Sequence, residues 1–308
     1  MPLSTAHQIA GILPALPTPM TARGEVDAKG LERLIEHVIR GGVHALWVLG
    51  STSEFPALSP EERKLVVDVA FQTAKGRVPI MVGVIDNDAR KIVANAASAK
   101  SAGAAACFLT LPYYFIVDQR EAVRHIREIA AESPLPVILY DNPPSTGIKL
   151  TVDTLAAMAE EPNLIGLKDS TCDFIRFQNS LVTLKKQRAF TILQGIDQLV
   201  AASLLMGADG AIVALGSIAP KLFVDLYQAA KAGNLPQVMT LQAKVLRLCR
   251  LYSIAADLTD GAFFAGMKAA LEVLGIGGRS VSRPLYEMPK EKMPEVEALL
   301  EECGALAG

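Results

Sequence analysis

The sequence predicts an α/β protein, a (β/α)8 barrel of the TIM type with a C-terminal three-helix extension. Three observations carry this expectation. Eight short apolar runs recur along the chain, unbroken rather than alternating, as strands covered on both faces require. Segments with helical start signals lie between them. The repeat has a spacing of roughly 20 to 35 residues, the size of one βα unit. A chain of 308 residues that is 51% hydrophobic suits one such barrel with a large core.

The runs are GILPALPT from Gly11, HALWVLG from His44, PIMVGVI from Pro79 and ACFLTLP from Ala106. They continue as PVILYDN from Pro136, LIGLKDS from Leu164, FTILQGI from Phe190 and GAIVAL from Gly210. Asp27 stands before the first helical pattern, which closes at Gly41-Gly42. Ser59-Pro60-Glu61-Glu62 opens the second as an N-cap, a proline at the first helical position and an acidic first turn. Asp88, Asp118, Thr151 and Asp173 mark later starts, and the eighth helix is expected from about Pro220 to Ala232. Residues 1–232 thus form the predicted barrel. Residues 233–308, with patterns beginning at Pro236, Gly261 and Pro294, form the extension, and no flexible linker separates the two.

Charge and composition exclude several function classes. The formal net charge is -2 with signs interspersed, so neither nucleic acid nor an anionic membrane surface is an expected partner. Cys107, Cys172, Cys249 and Cys303 are far apart, with no CxxC, and read as reduced thiols of a cytoplasmic protein. His7, His37, His44 and His125 form no HxH or HxxxH pair, so no metal site is expected. The first residues show no leader pattern. Val200 to Ala219 is broken by Gly207-Ala208-Asp209-Gly210 and reads as a helix end, a turn and a buried strand rather than a membrane span. Gly275-Ile276-Gly277-Gly278 follows a helix rather than a strand and is no dinucleotide loop.

In a (β/α)8 barrel the chemistry sits at the C-terminal strand ends. Those ends hold Ser51-Thr52-Ser53-Glu54, Tyr113-Tyr114, Tyr140-Asp141-Asn142, Lys168-Asp169 and Gly195-Ile196-Asp197. One amine, several phenols and a hydroxyl-rich turn suit imine chemistry without a cofactor. A lysine in an apolar pocket loses hydration of its charged form, so its neutral amine becomes available to attack a ketone. A phenol relays protons, and a turn of small hydroxyl residues with free N–H groups holds a carboxylate. Other readings stand beside these. Lys168 is a solvated strand tip, Tyr140 a core aromatic, Ser51-Thr52 a turn, Asp197 a helix cap, and Asp169 structural, because a carboxylate against the lysine would keep it charged. Lys268 reads as a surface lysine.

GSTSE, PYY, YDNP..TG and GLKDS, in that order, resemble the dihydrodipicolinate synthase / N-acetylneuraminate lyase family of class I, pyruvate-dependent aldolases. The resemblance runs from PTPM of the first strand to KAALEVLG and RPL. It implies that Lys168 forms the Schiff base, that Tyr140 relays protons, and that Ser51 and Thr52 hold the pyruvyl carboxylate. It further implies that Tyr114 reaches a neighbouring subunit's site in a homodimer or homotetramer. Ile212 would present its carbonyl near the imine, and Gly195 and Asp197 would line the second substrate's region. Two positions depart from the pattern. Ser53 replaces a glycine of the GTTGE-type motif. Ser145 stands where dihydrodipicolinate synthases, similar to YNVPGRTG, carry the arginine that receives the aldehyde's carboxylate.

The expected activity is therefore cleavage or formation of a 2-oxo acid, with pyruvate and an aldehyde as partners. A 4-hydroxy-2-oxo acid or a 2-keto-3-deoxy sugar acid fits the uncharged Ser145 position. The alternatives are a 4-hydroxy-tetrahydrodipicolinate synthase, a deoxy-sugar-acid dehydratase, and a non-catalytic oxo-acid-binding protein. An unrelated barrel enzyme with a phosphate site after the last strands is disfavoured, since no Lys or Arg follows there until Lys221.

Overall fold

The computed structural model describes residues 9–259 and 261–306. His7 and most of the stretch read for a leader lie outside them. All eight apolar runs are strands: β1 (Gly11–Pro14), β2 (Leu46–Val48), β3 (Ile80–Gly83), β4 (Ala106–Leu109), β5 (Val137–Asp141), β6 (Leu164–Asp169), β7 (Thr191–Gln194) and β8 (Gly210–Val213). They pair in parallel in the order β1-β8-β7-β6-β5-β4-β3-β2. A parallel bridge from Ala15 to Trp47 joins β1 to β2 and closes the ring, with Leu16 N donating to Trp47 O at 3.0 Å. Nearly every strand residue is buried, as a sheet with a filled interior and a helical coat demands.

The coat is α1 (Ala28–Arg40), α2 (Pro60–Ala74), α3 (Ala89–Ala102), α4 (Gln119–Glu132), α5 (Pro143–Thr146), α6 (Val152–Met158), α7 (Phe174–Gln187), α8 (Val200–Leu205) and α9 (Pro220–Lys231). The predicted start signals act as caps. Asp27, Asp88, Thr151 and Asp173 each accept a first-turn N–H, and Ser59 with Glu62 and Asp118 with Glu121 form reciprocal capping boxes.

After α9 come α10 (Leu235–Leu248), a 3-10 turn at Cys249–Tyr252, α11 (Ala262–Val273) and α12 (Met293–Glu302). α10 packs on α8 and α9, and α11 on α12 and the 3-10 turn. A Cβ on Gly266 would lie 1.9 Å from Leu251 O, so only glycine lets α11 approach that closely.

Lys268 corrects the sequence reading. It lies in α11 with 1% exposure, and its Nζ is 2.8 Å from Glu54 Oε1 and 2.9 Å from Ser280 O. Ala265 to Leu271 is buried without interruption, so this middle stretch of α11 is covered on all sides. A lysine there must be paired. No helix among the described residues is long and apolar enough to cross a membrane.

Candidate active site

The register of β5 and β6 sets Tyr140 beside Lys168 and Asp141 beside Asp169. Successive strand residues point to opposite faces, so the two pairs separate. Tyr140 and Lys168 form one buried pair: Lys168 is 4% exposed, with Nζ 3.9 Å from the Tyr140 ring centroid and 4.1 Å from that of Trp47. Asp141 and Asp169 form the other, on the face toward α7. There Arg176 donates Nη1 to Asp169 Oδ2 at 2.6 Å, Nη2 to Asp141 Oδ2, and Nε to Leu150 O at 2.6 Å. The carboxylate adjacent to Lys168 in sequence is thus claimed by an arginine. This bears out the structural reading of Asp169.

Lys168 has no ion pair within 4.0 Å among the described residues. Burial drives its pKa well below the ordinary 10.5, and the charge of Asp197 opposes this. Asp197, itself raised to about 6 by burial, accepts from Tyr252 Oη at 2.8 Å and from Leu215 N at 3.2 Å. It caps no helix with its side chain. Burial also raises the pKa of Tyr140, against hydrogen bonds from Ser51 and Ser170. A Cβ on Gly195 would lie 2.9 Å from Lys168 Cε and 2.0 Å from Ser170 Oγ, so this position admits the lysine stem only as glycine.

Ser51–Ser53 is a single 3-10 turn after β2. The departure at Ser53 costs nothing in backbone: the left-handed residue is Glu54, at φ 56°, and Ser53 Oγ donates to Leu16 O at 2.6 Å. Glu54 is held by Lys268 and by Ser282, whose N and Oγ each donate to Oε2 at 2.7 Å. The extension thereby fastens the turn.

A cavity of about 500 Å³ opens next to this turn. Of the predicted substrate-binding residues it is lined by Ser51 and Ser145; Asn142 Nδ2 donates to Ser145 Oγ at 2.8 Å. Lys168 and Tyr140 lie outside its lining, and Ser51, bonded to the Tyr140 phenol, connects the two regions. Thr52 is buried in the turn, and Ile212 is buried in β8 opposite Leu13. Tyr114 is 81% exposed and does not line its own chain's cavity, whereas Tyr113 does. Among the described residues no group of three or more His, Cys, Asp or Glu side chains converges as a metal site.

Sequence reasoning missed Trp47, Arg176 and Arg283. Trp47 carries a signal, being the single tryptophan, at the end of the strand that delivers the GSTSE turn. Arg176 carries none, because only the β5–β6 register brings both aspartates to it. Arg283 lines the cavity from the C-terminal segment.

The model of the dihydrodipicolinate synthetase family matches residues 8–303. The chain belongs to that family. An uncharacterised DapA-like lyase of Halobacterium salinarum is 34% identical over 96% of this chain and 94% of its own. Among solved structures, dihydrodipicolinate synthase from Bacteroides thetaiotaomicron superposes with a TM-score of 0.90 at 34% identity, covering 96% of this chain and 98% of that one. YagE from Escherichia coli K12, solved with pyruvate, gives a TM-score of 0.90 at 30% identity over 96% and 99% of the two chains. YagE is provisionally named a 2-dehydro-3-deoxy-D-gluconate aldolase.

Proposed function

We propose that the protein is a class I lyase that cleaves or forms a 2-oxo acid through an imine on Lys168, with pyruvate as one product or substrate. The observation that carries this is the state of Lys168. It is a buried amine at a barrel strand end, without an ion pair among the described residues and with its pKa depressed by burial. The pyruvate bound by YagE and that protein's provisional name support the same substrate class.

In the cleavage direction, the neutral amine adds to the C2 ketone, and Tyr140 gives its phenolic proton to the departing hydroxide, leaving a protonated imine, a water molecule and the Tyr140 phenolate. The C3–C4 bond then breaks. Its electron pair flows into the imine to form an enamine, while the C4 hydroxyl proton passes to Tyr140 and an aldehyde departs. The enamine carbon takes a proton back, and water hydrolyses the imine to pyruvate and free Lys168. Ser51 and Thr52 would hold the pyruvyl carboxylate through hydroxyls and turn N–H groups. Asp197, Gly195 and the Ile212 carbonyl would border the reacting carbons. No diffusible cofactor enters this scheme.

Under this reading the aldehyde fragment belongs to a 4-hydroxy-2-oxo acid or a 2-keto-3-deoxy sugar acid. Tyr114, exposed in the single chain, completes a neighbour's site in a dimer or tetramer, and the enzyme works in the cytoplasm. The test is to incubate the protein with pyruvate, reduce with borohydride and weigh the intact chain. The reading expects one reduced-pyruvate adduct, absent in Lys168→Ala. An unmodified wild-type chain sinks it and leaves the non-catalytic binding protein.

A further inference from the structure

The cavity beside the GSTSE turn is what the outer part of a substrate would meet. Its wall is mostly apolar, with Phe55, Ile85, Phe264 and Leu285 among the lining residues. Ser51, Thr110, Asn142 and Ser145 also line it and can pair hydroxyls that reach them, but the hydroxyls of a sugar-derived aldehyde that face the apolar side chains would lack partners, at a cost for each unsatisfied group. The space also exceeds what pyruvate fills and lies within the usual range for a small-molecule site.

At the rim of this wall stands Arg283. It is exposed, lines the cavity, and makes no hydrogen bond or ion pair among the described residues. Its backbone is anchored on the N-terminal side, where Ser282 donates twice to buried Glu54 and Ser280 O accepts from Lys268. A guanidinium on an anchored segment above an apolar pocket is a ready partner for a carboxylate at the far end of an apolar molecule. Ser145, on the same cavity, offers a hydroxyl but no charge.

We infer that the aldehyde partner has an apolar, preferably aromatic, body seated against Phe264 and Phe55, and a terminal carboxylate bound by Arg283. This rests on the pyruvate-lyase reading above and selects the 4-hydroxy-2-oxo acids over the sugar acids. Arg283 touches the outer end of the substrate, so it governs specificity rather than the chemical step.

The test is condensation of pyruvate with one aldehyde at a time, followed by pyruvate consumption, for the wild type, Arg283→Gln and Arg283→Lys. The aldehydes are benzaldehyde, 4-carboxybenzaldehyde, D-glyceraldehyde and aspartate semialdehyde. Borohydride trapping of the pyruvate adduct is run on each preparation. The expected order has 4-carboxybenzaldehyde first, benzaldehyde second and glyceraldehyde at least about tenfold behind in kcat/KM. Arg283→Gln should raise the KM for the carboxylated aldehyde about tenfold and leave benzaldehyde within about twofold, and Arg283→Lys should recover part of the loss. A preference for glyceraldehyde or aspartate semialdehyde, with the adduct intact, overturns the apolar partner. Equal effects of Arg283→Gln on benzaldehyde and its carboxylated form overturn the role of Arg283. Absence of the adduct fails the lyase reading itself, and this inference with it.

Discussion

At the scale of the residue, the balance around Lys168 decides reactivity. Burial favours the neutral amine, while the faces of Trp47 and Tyr140 and the charge of Asp197 favour the ammonium. Burial is the largest influence, so the free base is present well below pH 10.5. By linkage, the folded state binds fewer protons here than the unfolded one. Stability therefore rises with pH from the depressed pKa toward 10.5. Asp197 carries its charge above about pH 6. Removing that charge in Asp197→Asn lowers the Lys168 pKa further. The acid limb of pyruvate-imine formation should then move to lower pH, as read by adduct yield across a pH series. A limb that stays put or moves upward would refute the coupling. Gly195→Ala places a methyl carbon within 2.9 Å of Lys168 Cε and 2.7 Å of Asp169 O. It should cost about 1–3 kcal/mol in denaturant unfolding, as overpacking does, and slow the imine step as well.

At the scale of the element, two buried ion networks hold the strand ends. Arg176 of α7 bridges the last residues of β5 and β6, one position beyond Tyr140 and Lys168. Glu54 and Lys268 tie the turn after β2 to α11. Breaking a buried pair leaves a charge without its partner, so Lys268→Met should destabilise by about 3–5 kcal/mol. The double variant Glu54→Gln, Lys268→Met should recover much of that loss, because both charges are gone. Recovery of stability without recovery of the pyruvate KM would show that the pair also sets the turn's shape. Chemical denaturation and a KM titration measure the two separately. The helices themselves were legible in advance. Ser59, Asp118 and Thr151 cap by local hydrogen bonds, which depend only on neighbours in sequence.

At the scale of the whole molecule, the exposed apolar side chains that follow β4 stand out. Tyr114, Phe115 and Ile116 are 81%, 59% and 88% exposed and form a contiguous apolar stretch. The main chain there is held, with Asn87 Oδ1 accepting from Tyr113 N and Tyr114 N at 2.9 and 3.0 Å. A rigid apolar projection is suited to burial against a second copy. Sedimentation should give a dimer or tetramer for the wild type and a smaller species for Ile116→Asp. The variant should also lose pyruvate turnover if Tyr114 completes the neighbour's site. A monomeric wild type with full activity would exclude this role.

Strands, caps and strand-end residues follow from local patterns of apolarity and hydrogen bonding, and the sequence by itself determined them. Lys168, Tyr140 and the GSTSE turn were legible because barrel chemistry gathers at strand ends. The Asp141–Arg176–Asp169 clamp was not, since three residues far apart in the chain meet only through parallel register. Lys268 was misplaced because a charged residue suggests solvent, whereas the middle of α11, Ala265 to Leu271, is covered on every side. Arg283 gained significance only when the closed barrel set the C-terminal segment over its mouth. Burial and long-range partners are properties of the packed chain, and these are what shift the lysine's pKa and shape the outer pocket.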